Sequence, residues 1–128
     1  MKNLFHLFCL VMLLAACKSS APFPLNQEWK LVELKNKPVP ALVKATLTFE
    51  PTGKRYGGKN SCNTYSGAYT LTGSSLRFGP AIATKMYCAD VADWEAAFMN
   101  MLPAVDNFVY RDNQLRLLAG TKIVAVFE

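Results

Sequence analysis

Cys62 and Cys88 are the residues of this chain whose type is best suited to chemistry. Cys62 sits in KNSCNTYSGAYTLTG, a run of small and polar residues with little apolar bulk around it. It does not read as a core cysteine, which leaves three uses: metal ligand, nucleophile, or half of a disulfide. A zinc site needs more ligands than a pair of thiols supplies. The single histidine is His6, near the amino terminus. Without one in the body of the chain, Ser-His-Asp triads, Cys-His pairs and histidine metal sites are excluded together. Asp90, Asp93 and Glu95 remain as acid-base candidates, close enough in sequence to consider a glycosidase-like carboxylate pair. Their place at the start of an amphipathic segment gives them a structural role instead, at the positive end of a helix dipole. Glu33, Glu50, Asp106 and Asp112 fall at strand ends, where solvated groups are expected. Gly57-Gly58 leads into strand-like residues rather than a helix, so it is not a phosphate loop. No catalytic residue, metal or cofactor is expected.

The amino-terminal stretch decides between the three uses. Lys2 supplies a positive charge, and Leu4 to Ala16 form an apolar run too short for a spanning helix. The run ends in Leu14-Ala15-Ala16-Cys17, which resembles the bacterial lipobox: a branched apolar residue, small residues, then cysteine. In such signals the cysteine thiol receives a diacylglycerol, and the chain is cleaved before it. Residues 1–16 are therefore expected to be a lipoprotein signal peptide, 17–27 a lipidated tether, and 28–128 a folded domain. Ser, Pro and small residues fill the tether, and ten such residues, extended, reach roughly 33 Å. Cys9 then departs with His6, Cys17 carries lipid, and Cys62 and Cys88 are left as an even pair in an oxidising compartment. A disulfide between them follows.

Fourteen basic and nine acidic residues give a formal charge of +5, spread along the chain. Lys54, Arg55 and Lys59 form the local basic cluster. Solvation of a hairpin end is the plain reading of it, and contact with anionic lipid headgroups the sharper one. An exported protein seldom meets nucleic acid, so no such partner is expected.

The elements that must position these residues are mostly strands. Trp29 to Leu34 is the first, and Ala45, Leu47 and Phe49 alternate with Thr46 and Thr48 in the next. Pro51-Thr52-Gly53 ends that strand, and Tyr56-Gly57-Gly58 suggests a bulge or a close backbone approach. Tyr69 and Leu71 share a face, Thr72-Gly73-Ser74 turns, and Leu76 and Phe78 resume the alternation. A further strand is expected over 82–87. Phe108 to Arg111, Leu115 to Leu118 and Lys122 to Phe127 close the chain, separated by Asp112-Asn113 and Gly120-Thr121 turns. The last of these is apolar on both faces, which places it centrally in the sheet or beneath a helix. One helix interrupts the strands: Asp90 is suited to cap it, Val91, Trp94, Phe98 and Met101 or Leu102 form its apolar face, and Pro103 stops it.

Ser61-Cys62-Asn63-Thr64-Tyr65-Ser66-Gly67-Ala68-Tyr69 and Ala83-Thr84-Lys85-Met86-Tyr87-Cys88 carry a resemblance beyond this pattern. With Trp29-Lys30-Leu31-Val32, Leu47-Thr48-Phe49 and Leu76-Arg77-Phe78-Gly79-Pro80 in order between and before them, they resemble the META domain family. That family includes the heat-shock-associated HslJ lipoproteins of bacteria. Asn63, Tyr65, Gly67, Thr84 and Met86 match its motif positions, while its usual glycine before the cysteine is Ser61 here. The resemblance implies an α+β domain: a strongly bent, half-barrel-like antiparallel sheet with one packed helix. It implies a part in stress or antibiotic tolerance and no particular chemistry.

The leading expectation is a non-enzymatic envelope lipoprotein that binds another envelope component, a protein partner among the candidates. The alternatives are a binding module for a hydrophobic small molecule, in a cavity between sheet and helix, or an inhibitor of a lysozyme-type enzyme. Lys18 after the lipidated cysteine resembles the outer-membrane default of proteobacterial sorting, which points to the outer membrane, facing the periplasm. The membrane is then a partner through Cys17.

Overall fold

The computed structural model describes residues 24–128. The expected signal peptide, Cys17 and most of the expected tether lie outside the described residues. Ten strands and one α-helix follow: β1 (Trp29–Leu34), β2 (Lys37–Pro38), β3 (Thr46–Glu50), β4 (Arg55–Lys59), β5 (Thr64–Thr72), β6 (Ser75–Phe78) and β7 (Ile82–Ala83) precede the helix. Then come α1 (Ala92–Met101), β8 (Asn107–Arg111), β9 (Gln114–Ala119) and β10 (Lys122–Phe127). The architecture is α+β.

Every pairing is antiparallel, in the order β10-β9-β8-β6-β5-β4-β3-β1-β2, with β7 on β5 and a further pairing of β10 with β1. The sheet therefore bends back toward itself. Its seams are thin: one residue pair, Ser75 with Asn107, joins β6 to β8, and two pairs join β1 to β3. It stays a strongly curved sheet and does not close evenly into a barrel. Type I′-like turns suit the right-handed twist of such hairpins. Positive φ at Lys35 and Asn36, and at Asp112 and Asn113, supplies them between β1 and β2 and between β8 and β9.

The concave face carries the alternating apolar residues. Trp29, Leu47, Tyr56, Leu76, Leu115, Leu117 and Phe127 are almost wholly buried there. Burial of such side chains contributes roughly 1.5–3 kcal/mol each against the chain entropy it must offset. β10 is flanked by both β9 and β1, so its two apolar faces have a central place, as the sequence predicts.

The helix lies across the mouth of this curve. Phe98 is its main anchor: its ring packs edge-on against Tyr65 at 5.4 Å and Phe127 at 6.3 Å. Met101 and Leu102 are buried beside it, and Trp94 is half-buried. The start of the helix differs from expectation. Asp90 does not cap it; Ala89–Val91 form a 3₁₀ turn, Val91 is the N-cap residue, and no side chain bonds there. Asp93 and Glu95 do occupy the first turn. At the other end the helix gives way to a 3₁₀ turn, Leu102–Ala104, containing Pro103.

Two glycines bring the backbone close. Gly58, at φ +150°, has the Thr46 carbonyl where a Cβ would stand. Gly67 lies under the Tyr56 ring, whose nearest atom would be 2.6 Å from an added Cβ. That close approach lets the Tyr56 hydroxyl donate to the Gly79 carbonyl at 2.6 Å.

Candidate functional site

The motif residues converge on one amide side chain. Asn63 is 2% exposed, immediately before β5, and its side chain makes four hydrogen bonds. Its Oδ1 accepts from the Met86 backbone N–H at 2.7 Å and the Thr84 hydroxyl at 2.9 Å. Its Nδ2 donates to the Met86 carbonyl at 2.9 Å and to Glu95 Oε1 at 2.6 Å. One side chain thus ties the β5 strand to the segment after β7 and to the helix. An amide offers two donors and two acceptor sites, and all are used here.

The turn before it is equally committed. Asn60 is 1% exposed, and its Oδ1 accepts the Asn63 backbone N–H at 3.0 Å. The Asn60 N–H in turn reaches the Asn63 carbonyl. Ser61 stands between them at φ +96°, the region that favours the glycine usual at this position. Its hydroxyl accepts the Lys44 backbone N–H at 2.9 Å, a bond that glycine would not make.

The disulfide Cys62–Cys88 closes the same corner, with Cα atoms 6.0 Å apart. Both thiols of the described body are therefore spent on a crosslink. The segment between β7 and the helix is held twice, by Asn63 at Met86 and by the disulfide at Cys88. This also explains why the strand expected over 82–87 stops at Ala83. The Thr84 N–H still bonds to the Thr64 carbonyl, but the Met86 N–H and C=O go to the Asn63 amide instead of a ladder.

What this double hold presents is apolar. Met86 and Tyr87 are 64% and 83% exposed on the held segment, and Ile82, on β7 just before it, is 75% exposed. Met86, a motif residue, engages the hub through its backbone and leaves its thioether outside. Tyr65, the other large motif residue, faces inward and donates its hydroxyl to the Thr46 carbonyl at 2.6 Å. Burial, and then the neighbouring Tyr56, hold the Tyr65 phenol well above its usual value of 10.0. Burial raises Tyr56 too, and raises Tyr69 with help from Glu50.

The carboxylates do not assemble into an acid-base pair. Glu95 is bonded to Asn63, while Asp90 and Asp93 are exposed. Among the described residues, no group of three or more His, Cys, Asp or Glu converges as a metal site would require. Phe98, Tyr65 and Phe127 pack together between sheet and helix. A recess of about 290 Å³ opens between the end of β1 and the helix, lined by Leu34, Trp94 and Ala97 with Lys35, Lys37 and Asp93. Another of about 350 Å³ opens between Tyr56 and Phe78 on the sheet and Met99 and Leu102 at the end of the helix.

Sequence reasoning named Asn63, Thr84 and Met86 through their family pattern, and the structure brings all three together. It missed Asn60, and it placed Glu95 at the helix start without its bond to Asn63. The signal for Asn60 was the Asn-x-x-Asn spacing, which suits a side chain bonding back to a turn. The Lys54, Arg55 and Lys59 cluster is divided: β4 separates Arg55 from Lys59 by roughly 13 Å at about 3.3 Å per residue.

A model of the META domain family matches residues 22–128. No curated protein matches the chain. Among solved structures, an NMR structure of a protein from Burkholderia xenovorans is similar, with a TM-score of 0.66 and 24% identity. The similarity covers 84% of this chain and 90% of that one. A second NMR structure is similar with a TM-score of 0.63 and 21% identity, over 81% of this chain and 89% of that one. At these identities the two likenesses establish the fold alone.

Proposed function

The chain belongs to the META domain family, and from that premise we propose that it is a non-enzymatic lipoprotein of the bacterial cell envelope. It acts by binding a protein partner there, in support of stress or antibiotic tolerance. One observation carries this reading: the side chains best suited to chemistry are spent on holding a segment whose apolar side chains face outward. Cys62 and Cys88 are crosslinked, and Asn63 and Glu95 are bonded to each other. Met86 and Tyr87 are presented on the segment so fixed, with Ile82 on β7 just before it. A held backbone that presents exposed aromatic and Met side chains suits recognition, since little backbone entropy is lost when a partner covers them.

The attachment is lipid on Cys17, which follows the lipobox-like Leu14-Ala15-Ala16 and lies outside the described residues. Two or more acyl chains give stable anchoring, where one is marginal. Lys18 favours the outer membrane, facing the periplasm.

A photo-crosslinking residue in place of Tyr87, in intact envelopes, tests the reading. It should give a discrete protein adduct that the same residue in place of Asp112 does not. Equal labelling from both positions contradicts the proposed surface. Hydrolase activity of the purified chain that Asp93→Asn abolishes, with the fold intact, contradicts the non-enzymatic reading.

A recess beside the helix favours a second reading, a binder of small apolar molecules. Leu34, Trp94 and Ala97 line it. A hydrophobic molecule that co-purifies with the chain and is lost in Trp94→Ala would favour this alternative.

A further inference from the structure

A second surface, distinct from the 82–88 segment, combines charge, shape and position. Residues Lys30, Val39, Val43, Lys44 and Lys59 lie around a recess of about 550 Å³, between β1, the 39–45 loop and the end of β4. Lys30, Lys44 and Lys59 are exposed around it, against a single carboxylate, Glu28. Leu31 and Val43, both buried, and Val39 give it an apolar floor. Leu42, between the lining residues Ala41 and Val43, is 55% exposed.

The preceding chain arrives at this same side. Leu25 packs against the core, and Glu28 lines the recess. The stretch that leads into β1 thus runs beside the lysines at Glu28.

We propose that this lysine-lined recess is the face that the domain lays on a membrane, taking the phosphate of an anionic phospholipid headgroup between Lys30, Lys44 and Lys59. Leu42 enters the interface beside it. The proposal rests on the envelope-lipoprotein reading for its geometry, because an anchor near this face brings it to the headgroups. Charge complementarity selects the lipid: each lysine near an anionic surface strengthens association roughly fivefold. An apolar floor beneath cations suits the boundary between headgroup and acyl chain. The 82–88 segment then remains available to a protein partner.

Lysine footprinting of the full chain, as purified from membranes, tests this. The protein is placed on vesicles of phosphatidylcholine alone, or of phosphatidylcholine with phosphatidylglycerol, and acetylated briefly before mass spectrometry. Lys30, Lys44 and Lys59 should react several-fold more slowly on the anionic vesicles, and Lys54 and Lys122 at an unchanged rate. High salt should abolish the difference, since exposed charges are screened. Leu42→Asp, at an exposed position, should lose it with the fold intact. Protection at Lys54 instead, equal protection on both vesicles, or no protection on either overturns the proposal. The same digest reports the anchor: acyl mass on the Cys17 peptide without lysine protection overturns this face and leaves the lipoprotein reading standing. Lysine protection without acyl mass supports the face and removes the anchor.

Discussion

The β8–β10 side of the sheet and the corner around Asn63 are held together by opposite means. On the first, Leu115, Leu117 and Phe127 are buried in a regular ladder, with Leu117 opposite Phe108 and Leu115 opposite Phe127. At the second, the segment after β7 leaves the ladder, and a buried amide and a disulfide replace it. Apolar packing tolerates volume-conserving exchange, because many small contacts share the load. A fully satisfied buried amide does not, because each partner it leaves behind carries its own desolvation cost. The corner should therefore be the more brittle of the two under substitution.

The largest expected effect follows from that contrast. Asn63→Ala removes four side-chain bonds and leaves the Met86 N–H and Glu95 without their partner. It should destabilise the fold by about 4 kcal/mol in denaturant melts, against about 1 kcal/mol for the volume-conserving Leu117→Met on the apolar side. Equal costs would erase the distinction. Next is the crosslink, which closes a loop of 26 positions. Replacing Cys62 and Cys88 with alanine should cost roughly 3 kcal/mol in the chain-entropy model, read as a fall in Tm.

A double-mutant cycle sharpens the comparison further. Asn63 and the disulfide hold the same few residues, so Asn63→Ala in the crosslink-free chain should show a coupling of about 1–2 kcal/mol. Leu117→Ala in that background should be additive, because it shares no partner with the corner. Coupling of equal size in both cycles would mean that the whole sheet, and not the corner, responds to the crosslink.

The smallest effect at neutral pH, and a visible one in alkali, concerns the tyrosines between the two regions. Tyr56, Tyr65 and Tyr69 all have raised values in the folded state, from a usual 10.0. The folded protein holds their protons longer than the unfolded chain does. Their contribution is complete below about pH 10 and is lost as pH rises through the folded values. Stability should fall above that point, and Tyr65→Phe should lessen the fall while losing the bond to the Thr46 carbonyl.

Legibility in the sequence follows the same division. The strands that pack by alternation are readable: Leu47 and Phe49 in β3, Leu76 and Phe78 in β6, and the doubly apolar β10 all stand where their patterns place them. The helix face is readable for the same reason, through Val91, Phe98 and Met101. Its start is not, because Asp90 falls in a 3₁₀ turn whose geometry no spacing reveals. At the corner, residue type shows that Cys62 and Cys88 can pair, and the family pattern marks Asn63. Nothing in periodicity shows that one amide intercepts the Met86 backbone and shortens β7 to two residues. Nor does the run Lys54, Arg55, Lys59 show that strand length moves its last member toward Lys30 and Lys44. Local composition records burial well, and it records long-range polar bonds poorly.

In the proposed function, Asn63 holds the exposed segment after β7 in place for binding. Hydrogen exchange at the Met86 amide of the oxidised protein tests it most directly, because that N–H sits on an exposed residue and bonds only inward, to Asn63 Oδ1 at 2.7 Å. Exchange there should be far slower than in an unstructured peptide, and that protection should be lost in Asn63→Ala while the Leu117 amide stays protected. Exchange at Met86 as fast as in an unstructured peptide, in the wild-type protein, would contradict it.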